Sequence, residues 1–172
     1  RGVRRRHPFD HKSCHRPGRL GKSRNPELLW KVLGEMTQEN PEFASDCKIQ
    51  LIGNVDGEVK EDVAKRGLSK YLFYGENVSN QESIKIQSNS QMLLLLINNT
   101  NNAKGILTGK FFEYISVNRP ILAIGPLGGD ADQILKETEA GSMFGYEQKT
   151  RTHQRNHIQV YYGNTSSRIR SI

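Results

Sequence analysis

Two glycine-rich segments carry the side chains best suited to chemistry. Gly105-Ile-Leu-Thr108-Gly109-Lys110-Phe-Phe-Glu113-Tyr follows the most apolar stretch of the chain, residues 92–97, and opens a helix-forming run. Glycines let a ligand approach the backbone, and a helix N-terminus presents N–H groups to an anion. Thr108, Gly109 and Lys110 sit where a diphosphate would meet that terminus. Glu113 lies about one turn further on and faces the loop. A carboxylate there accepts two hydroxyls of a ribose, as the acidic residue of dinucleotide-binding folds does. An ordinary amphipathic helix with an exposed glutamate explains the same residues equally well. The second segment is Gly18-Arg-Leu-Gly21-Lys22-Ser-Arg24, ahead of another helical run. Lys22 and Arg24 would add charge-assisted bonds to a phosphate. Neither segment is a P-loop. The first is one residue short, and in the second the leading glycine would have to stand at Arg16. A solvated basic turn is the simpler reading of Gly18–Arg24 taken alone.

Metal chemistry is not expected. Asp130-Ala-Asp132, after the turn Gly125-Pro-Leu-Gly-Gly129, has the D-x-D form of some metal sites. A helix cap at Asp130 followed by a first-turn acid is the stronger reading. His7, His11 and His15 with Cys14 share the spacing of one helix face, but Pro8 and Pro17 break such a helix. No closed four-ligand set is present at structural spacing.

The elements that must position these loops are legible in the apolar pattern. Helices are expected over 26–36, 58–66, 79–88, 107–117 and 130–139. Asn25 is the expected cap of the first, with Pro26 in its first helical position. Ser79 and Glu82 form a capping box for the third. Strands are expected over 48–52, 71–74, 92–97, 120–124 and 142–146. These strands are continuous apolar runs, as strands covered on both faces are. Alternation with helices then gives an α/β fold, a doubly wound, Rossmann-like parallel sheet. Ligands of such sheets bind beyond the carboxyl ends of the strands. That end carries the loops at 18–25, 53–57, 75–79, 98–110 and 125–130.

Charge divides the chain in three. Its 172 residues hold 25 Lys+Arg and 18 Asp+Glu, a net of +7. Residues 1–24 hold nine basic residues and one acid, and residues 148–172 five basic residues and none. The stretch 25–147 is left with eleven basic and seventeen acidic residues, a net of −6. Residues 1–17 and 148–172 have no helical or strand period and read as irregular, poorly ordered basic arms flanking a domain over 18–147. They carry few aromatics among their charges, so no nucleic-acid partner is expected. No apolar run reaches the roughly 18–20 residues of a membrane span. No apolar stretch follows Arg1–Arg6, so no secretory signal is read. Cys14 and Cys47 make no disulfide framework, which fits a reducing compartment and a cytoplasmic location.

Read together, GKSRNPELLWKVL, LIGNVDGEV, GLSKYLFYGENVSNQESIKIQ and MLLLLINNTNNAKGILTGKFFEYISVNRPILAIGPLGGDADQILKETEAG form a familiar series. It resembles the C-terminal, donor-binding half of GT-B glycosyltransferases, near the family 4 group of bacterial surface-polysaccharide gene clusters. The resemblance covers about residues 18–147, and GKFFEYISVNRPILAIGP is its most specific part. It implies a nucleoside diphosphate sugar as donor substrate and no other cofactor. Gly21, Lys22, Arg24, Thr108, Gly109 and Lys110 would contact the diphosphate. Glu113, the second Glu of the family's E-x7-E motif, would hold the ribose, and the backbone near Val78 would lie by the nucleobase. The first Glu of that motif falls on Gly105, which has no side chain to offer a donor sugar.

The resemblance implies transfer of a sugar to a hydroxyl acceptor in polysaccharide or glycoconjugate synthesis. The family's acceptor site and usual base lie on an N-terminal domain, so no catalytic residue is assigned and this chain alone is expected to be inactive. That domain is the expected partner, and peripheral membrane association of a full enzyme stays open. The alternatives are a nucleotide-sugar 2-epimerase-like domain and a basic-armed nucleic-acid-binding module. HKSCHRP stands where the family has an apolar first strand, and the pattern also stops after Tyr146. Arms translated outside the natural reading frame would give both losses.

Overall fold

A computed structural model describes residues 12–17, 20, 21, 24–146, 154–156 and 158. In chain order the elements are β1 (Lys12–Pro17), α1 (Glu27–Glu39), α2 (Pro41–Asp46), β2 (Cys47–Ile52), α3 (Gly57–Lys65), β3 (Leu72–Gly75), α4 (Asn80–Ser88), β4 (Met92–Leu96), α5 (Gly109–Ser116), β5 (Ile121–Ile124), α6 (Asp130–Glu137) and β6 (Gly141–Phe144). Single 3-10 turns at Ser69–Tyr71 and Ala103–Gly105 precede β3 and α5.

All strands pair in parallel, in the order β3-β2-β1-β4-β5-β6. This is the doubly wound order, in which the direction of winding reverses between β1 and β4. The expected α/β, Rossmann-like sheet is therefore the one observed. The apolar runs have the predicted cause. In β4, Met92, Leu94 and Leu96 face a layer built on Trp30, Leu33 and Met36 of α1 and Val59 and Val63 of α3. Leu93, Leu95 and the following Ile97 face the opposite layer, with Phe111 and Tyr114 of α5 and Leu135 of α6. Leu93, Leu94, Leu95 and Leu96 lie in register with Ile121, Leu122, Ala123 and Ile124 of β5.

The arms need correction where they are described. Residues 12–17 are not irregular: β1 pairs with β2 from Lys12 to Pro17, and with β4 at Cys14 and His15. A ladder is made of backbone groups, so Lys-Ser-Cys-His-Arg-Pro can form it without an apolar run. Pro17, which has no N–H to give, stands at the strand's end. The alternative of a histidine-bearing helix through His15 and Cys14 is thereby excluded. In the C-terminal arm, residues 154–156 and 158 are helical, and Ile158 is buried in the layer of α1. Arg155 pairs with Glu39 at the end of α1. His7, His11 and the remainder of both arms lie outside the described residues.

Two further differences concern helix ends. Asn25 does not cap α1; Pro26 holds that position. The Asn25 side chain instead accepts from Nε1 of the wholly buried Trp30 at 2.7 Å and donates to Asp62 at 3.1 Å. A buried indole N–H requires a partner, and that demand outweighs a cap. The short α2 is an addition to the expected set. Asn40 caps it by accepting from the Phe43 N–H at 3.0 Å, with Pro41 in the first position. Ser79 caps α4 as expected, accepting from the Glu82 N–H at 3.2 Å.

No helix of the described residues is long and apolar enough to cross a membrane. Cys47 is a free thiol that burial pushes up to about 12, so it is protonated at neutral pH and offers no nucleophile.

Asn25→Ala removes the acceptor of a buried indole N–H. Urea unfolding followed by Trp30 fluorescence is expected to show a loss of about 1–3 kcal/mol. A loss below half a kilocalorie would show that water replaces the amide.

Candidate functional site

The reversal between β1 and β4 sets the location. Loops leaving those two strands diverge there and leave a crevice at the carboxyl end of the sheet. The loop after β1 is stapled to the loop after β2. Leu20, wholly buried, bridges to Val55, its N–H donating to Asn54 O at 2.8 Å while its carbonyl accepts from the Asp56 N–H at 3.0 Å. Gly21 lies next, and a Cβ there would stand 3.1 Å from Asp56 Oδ2. Arg24 is exposed, and its N–H donates to Gly21 O at 3.0 Å. Lys22 lies outside the described residues.

The loop after β4 ends at α5. Thr108 is the cap, its Oγ1 accepting from the Phe111 N–H at 3.3 Å. The hydroxyl expected to contact a diphosphate thus already serves the helix. The first N–H groups of α5, at Gly109 and Lys110, have no acceptor within the helix. Nothing lies within 4 Å of where a Cβ of Gly109 would stand, so its backbone is approachable.

One turn in, Lys110 and Glu113 meet. Lys110 Nζ donates to Glu113 Oε1 at 2.8 Å and to Oε2 at 3.0 Å. The sequence had aimed Lys110 at a phosphate; in the structure its charge faces the carboxylate. The lysine side chain is 38% exposed and the glutamate 18%. A helix pair of this kind is worth about 0.2–0.5 kcal/mol, and a phosphate at this helix end would add the free N–H groups of α5 to the bond from the lysine. A phosphate can therefore take the lysine.

Glu113 has a further partner that sequence reasoning missed. Gln87, fully buried on α4, donates from Nε2 to Glu113 Oε1 and to Ser83 Oγ. The sequence carried no signal for it: the apolar residues of this run, Ile84 and Ile86, are not the ones α4 buries, and Ser83 and Gln87 are. Among the described residues Gln87 Oε1 has no partner. Such a group costs about 1–3 kcal/mol.

The loop after β5 packs on the loop after β4. A Cβ at Gly129 would come within 2.7 Å of Lys104 O, so glycine alone allows the approach. Gly128 has φ +70°, the left-handed region. Its N–H donates at 2.8 Å to Oδ2 of Asp132, which is 1% exposed and also accepts from Lys136 Nζ at 2.9 Å. The D-x-D pair is thus split. Asp132 ties down the loop from within, whereas Asp130 is exposed and is the first helical residue of α6, Gly129 being the cap. Asp130 Oδ2 lies 4.0 Å from where a Cβ of Gly105 would stand. Among the described residues no three His, Cys, Asp or Glu side chains converge as a metal site would require.

The structure therefore brings Thr108, Gly109, Lys110 and Glu113 together on one helix end, and adds Gln87. Arg24 and Gly21 stand on the loop across the reversal point. Val78 is half-buried between β3 and α4, at the same end of the sheet but with β1 and β2 between its strand and β4.

No family model matches the sequence, and no curated protein sequence matches it. Solved structures match by fold. The pneumococcal O-GlcNAc transferase GtfA, in complex with UDP and GlcNAc, superposes with a TM-score of 0.65 at 17% identity, over 91% of this chain and 29% of its own. WaaG, a glycosyltransferase involved in lipopolysaccharide biosynthesis, gives 0.61 at 9% identity, over 88% and 38%. A UDP-N-acetylglucosamine 2-epimerase of Listeria monocytogenes, described as putative, gives 0.59 at 10% identity, over 94% and 40%. The fold is that of one Rossmann-like half of a GT-B architecture, and the chain spans less than half the length of each of these proteins.

Asp132→Ala removes the acceptor that holds Gly128. Its expected cost is about 1–3 kcal/mol in urea unfolding, with faster exchange of the Gly128 amide. Unchanged exchange at Gly128 would show that Asp132 does not shape this loop.

Proposed function

We propose that the chain is the donor-binding half of a glycosyltransferase that moves a sugar from a nucleoside diphosphate to a hydroxyl acceptor. One observation carries the reading. At the carboxyl end of β4, beside the reversal of the sheet, a capped helix end with an approachable glycine holds a lysine and a glutamate in contact. A helix end and a lysine suit a diphosphate; a carboxylate one turn away suits the vicinal hydroxyls of the attached ribose.

In this reading Lys110, the first N–H groups of α5 and Arg24 stabilise the negative charge that grows on the diphosphate as the sugar leaves. Lys110 exchanges Glu113 for the phosphate, and Glu113 turns to the ribose. Lys22 and Gly21 join the diphosphate side and Val78 the base, as the resemblance implies. Residues from Lys12 onward make up the domain, since β1 belongs to the sheet. A second domain would bring the acceptor and the base, and the location is cytoplasmic. That GtfA was solved with UDP makes uridine diphosphate the first ligand to try.

The 2-epimerase reading shares this fold and is favoured by one match. It needs a full second domain and carboxylates placed for proton abstraction; in the present reading Glu113 serves the ribose, and Asp132 holds a loop. The nucleic-acid reading loses ground because the basic arms carry few aromatics among their charges.

Isothermal titration of the chain with UDP and GDP tests the proposal. The expected result is weak binding of at least one, with a Kd of roughly 0.1–1 mM, weakened at least severalfold by Glu113→Gln, and no sugar transfer by the chain alone. Tight binding indifferent to Glu113→Gln, or turnover by the chain alone, would contradict it.

A further inference from the structure

The buried face of α4 carries a polar pair that packing does not need. Ser83 and Gln87 are 4% and 0% exposed. Leucine at position 87 would fill a similar volume without burying a carbonyl that has no partner among the described residues. The amide is also oriented. Turned over, it would set Oε1 against the carboxylate of Glu113, like charge against like; as it stands, Nε2 donates to Glu113 Oε1 and to Ser83 Oγ at 2.8 Å. A group kept in a costly place and aimed at one carboxylate is there for that carboxylate.

Lys110 and Gln87, both partners of Glu113, differ in freedom. Lys110 is a flexible side chain, 38% exposed, that reaches both carboxylate oxygens. Gln87 is locked in the core and reaches only Oε1. Departure of Lys110 thus returns one acceptor position on each oxygen, while the bond from Gln87 persists. Two hydroxyls on neighbouring carbons present donors at matching spacing.

We infer that Gln87 is a positioning residue: it pins Glu113 while Lys110 leaves for a phosphate, so that both oxygens of Glu113 meet the vicinal diol of a ribose. This rests on the reading of Glu113 given under Proposed function. Gln87 acts through Glu113, which meets the ribose arm of the ligand, so its loss is felt only by ligands that have the diol.

The test compares wild type and Gln87→Leu by titration with three probes, UDP, 2′,3′-dideoxy-UDP and inorganic pyrophosphate, alongside thermal unfolding. Gln87→Leu is expected to keep or raise Tm and to weaken UDP binding about fivefold to tenfold, the order of one neutral hydrogen bond. Binding of the dideoxy nucleotide and of pyrophosphate is expected to stay within about twofold. Should the leucine variant misfold, Gln87→Met, unbranched and adaptable, carries the same comparison. Equal weakening of all three probes would make Gln87 merely structural and overturn the inference. So would unchanged UDP binding in a Gln87 variant while Glu113→Gln weakens it, a result that leaves the proposed site standing. Wild type that binds no nucleotide would overturn the site and the inference together.

Discussion

The side chains of β4 point alternately into two apolar layers, one under α1 and α3, the other under α5 and α6. A strand so covered cannot lie at an edge, and pairing with β1 on one side and β5 on the other satisfies its backbone. The rest of the site depends on this constraint. Because β4 lies beside β1 at the reversal of the sheet, the loop leaving it borders the crevice. Because α5 must pack Phe111 and Tyr114 back onto β4, its N-terminus is held at that border and Glu113 falls on the flank next to α4.

Electrostatics then works locally. From position 12, where β1 begins, to position 147 the chain holds sixteen basic and seventeen acidic residues, a net of −1, so a dianionic ligand gains little from the net charge of the folded domain. What attracts it must act at short range: helix N–H groups, one lysine that a weak pair releases readily, and an arginine across the crevice. The same reasoning explains why acids near the crevice are engaged elsewhere. Asp132 is spent on Gly128 and Lys136, and Glu113 on Lys110 and Gln87.

Most of the fold was legible because burial on both faces leaves a pattern in the residues themselves. Runs such as Met92–Leu96 and Ile121–Ile124 admit few other readings. β1 was missed for the opposite reason. A ladder needs backbone only, and Lys-Ser-Cys-His-Arg-Pro carries none of the pattern that marked its neighbours. Asn25 was misread because its local role, a cap, lost to a tertiary demand by Trp30. At the site, Thr108, Gly109, Lys110 and Glu113 could be grouped from spacing along one helix. Gln87 could not, since its contact spans 26 positions and depends on how α4 packs against α5. The pairing of Lys110 with Glu113 at i,i+3 was available in principle, and the phosphate expectation hid it.

The central claim is that α5 begins at a nucleoside diphosphate site. Backbone amide shifts of the isotopically labelled chain, followed as UDP is added, test it most directly. Shifts are expected to concentrate at Gly109, Lys110 and Glu113, with a smaller set at Arg24. Shifts confined to the arms or to the amino end of the sheet would contradict it, as would a spectrum unchanged at millimolar UDP.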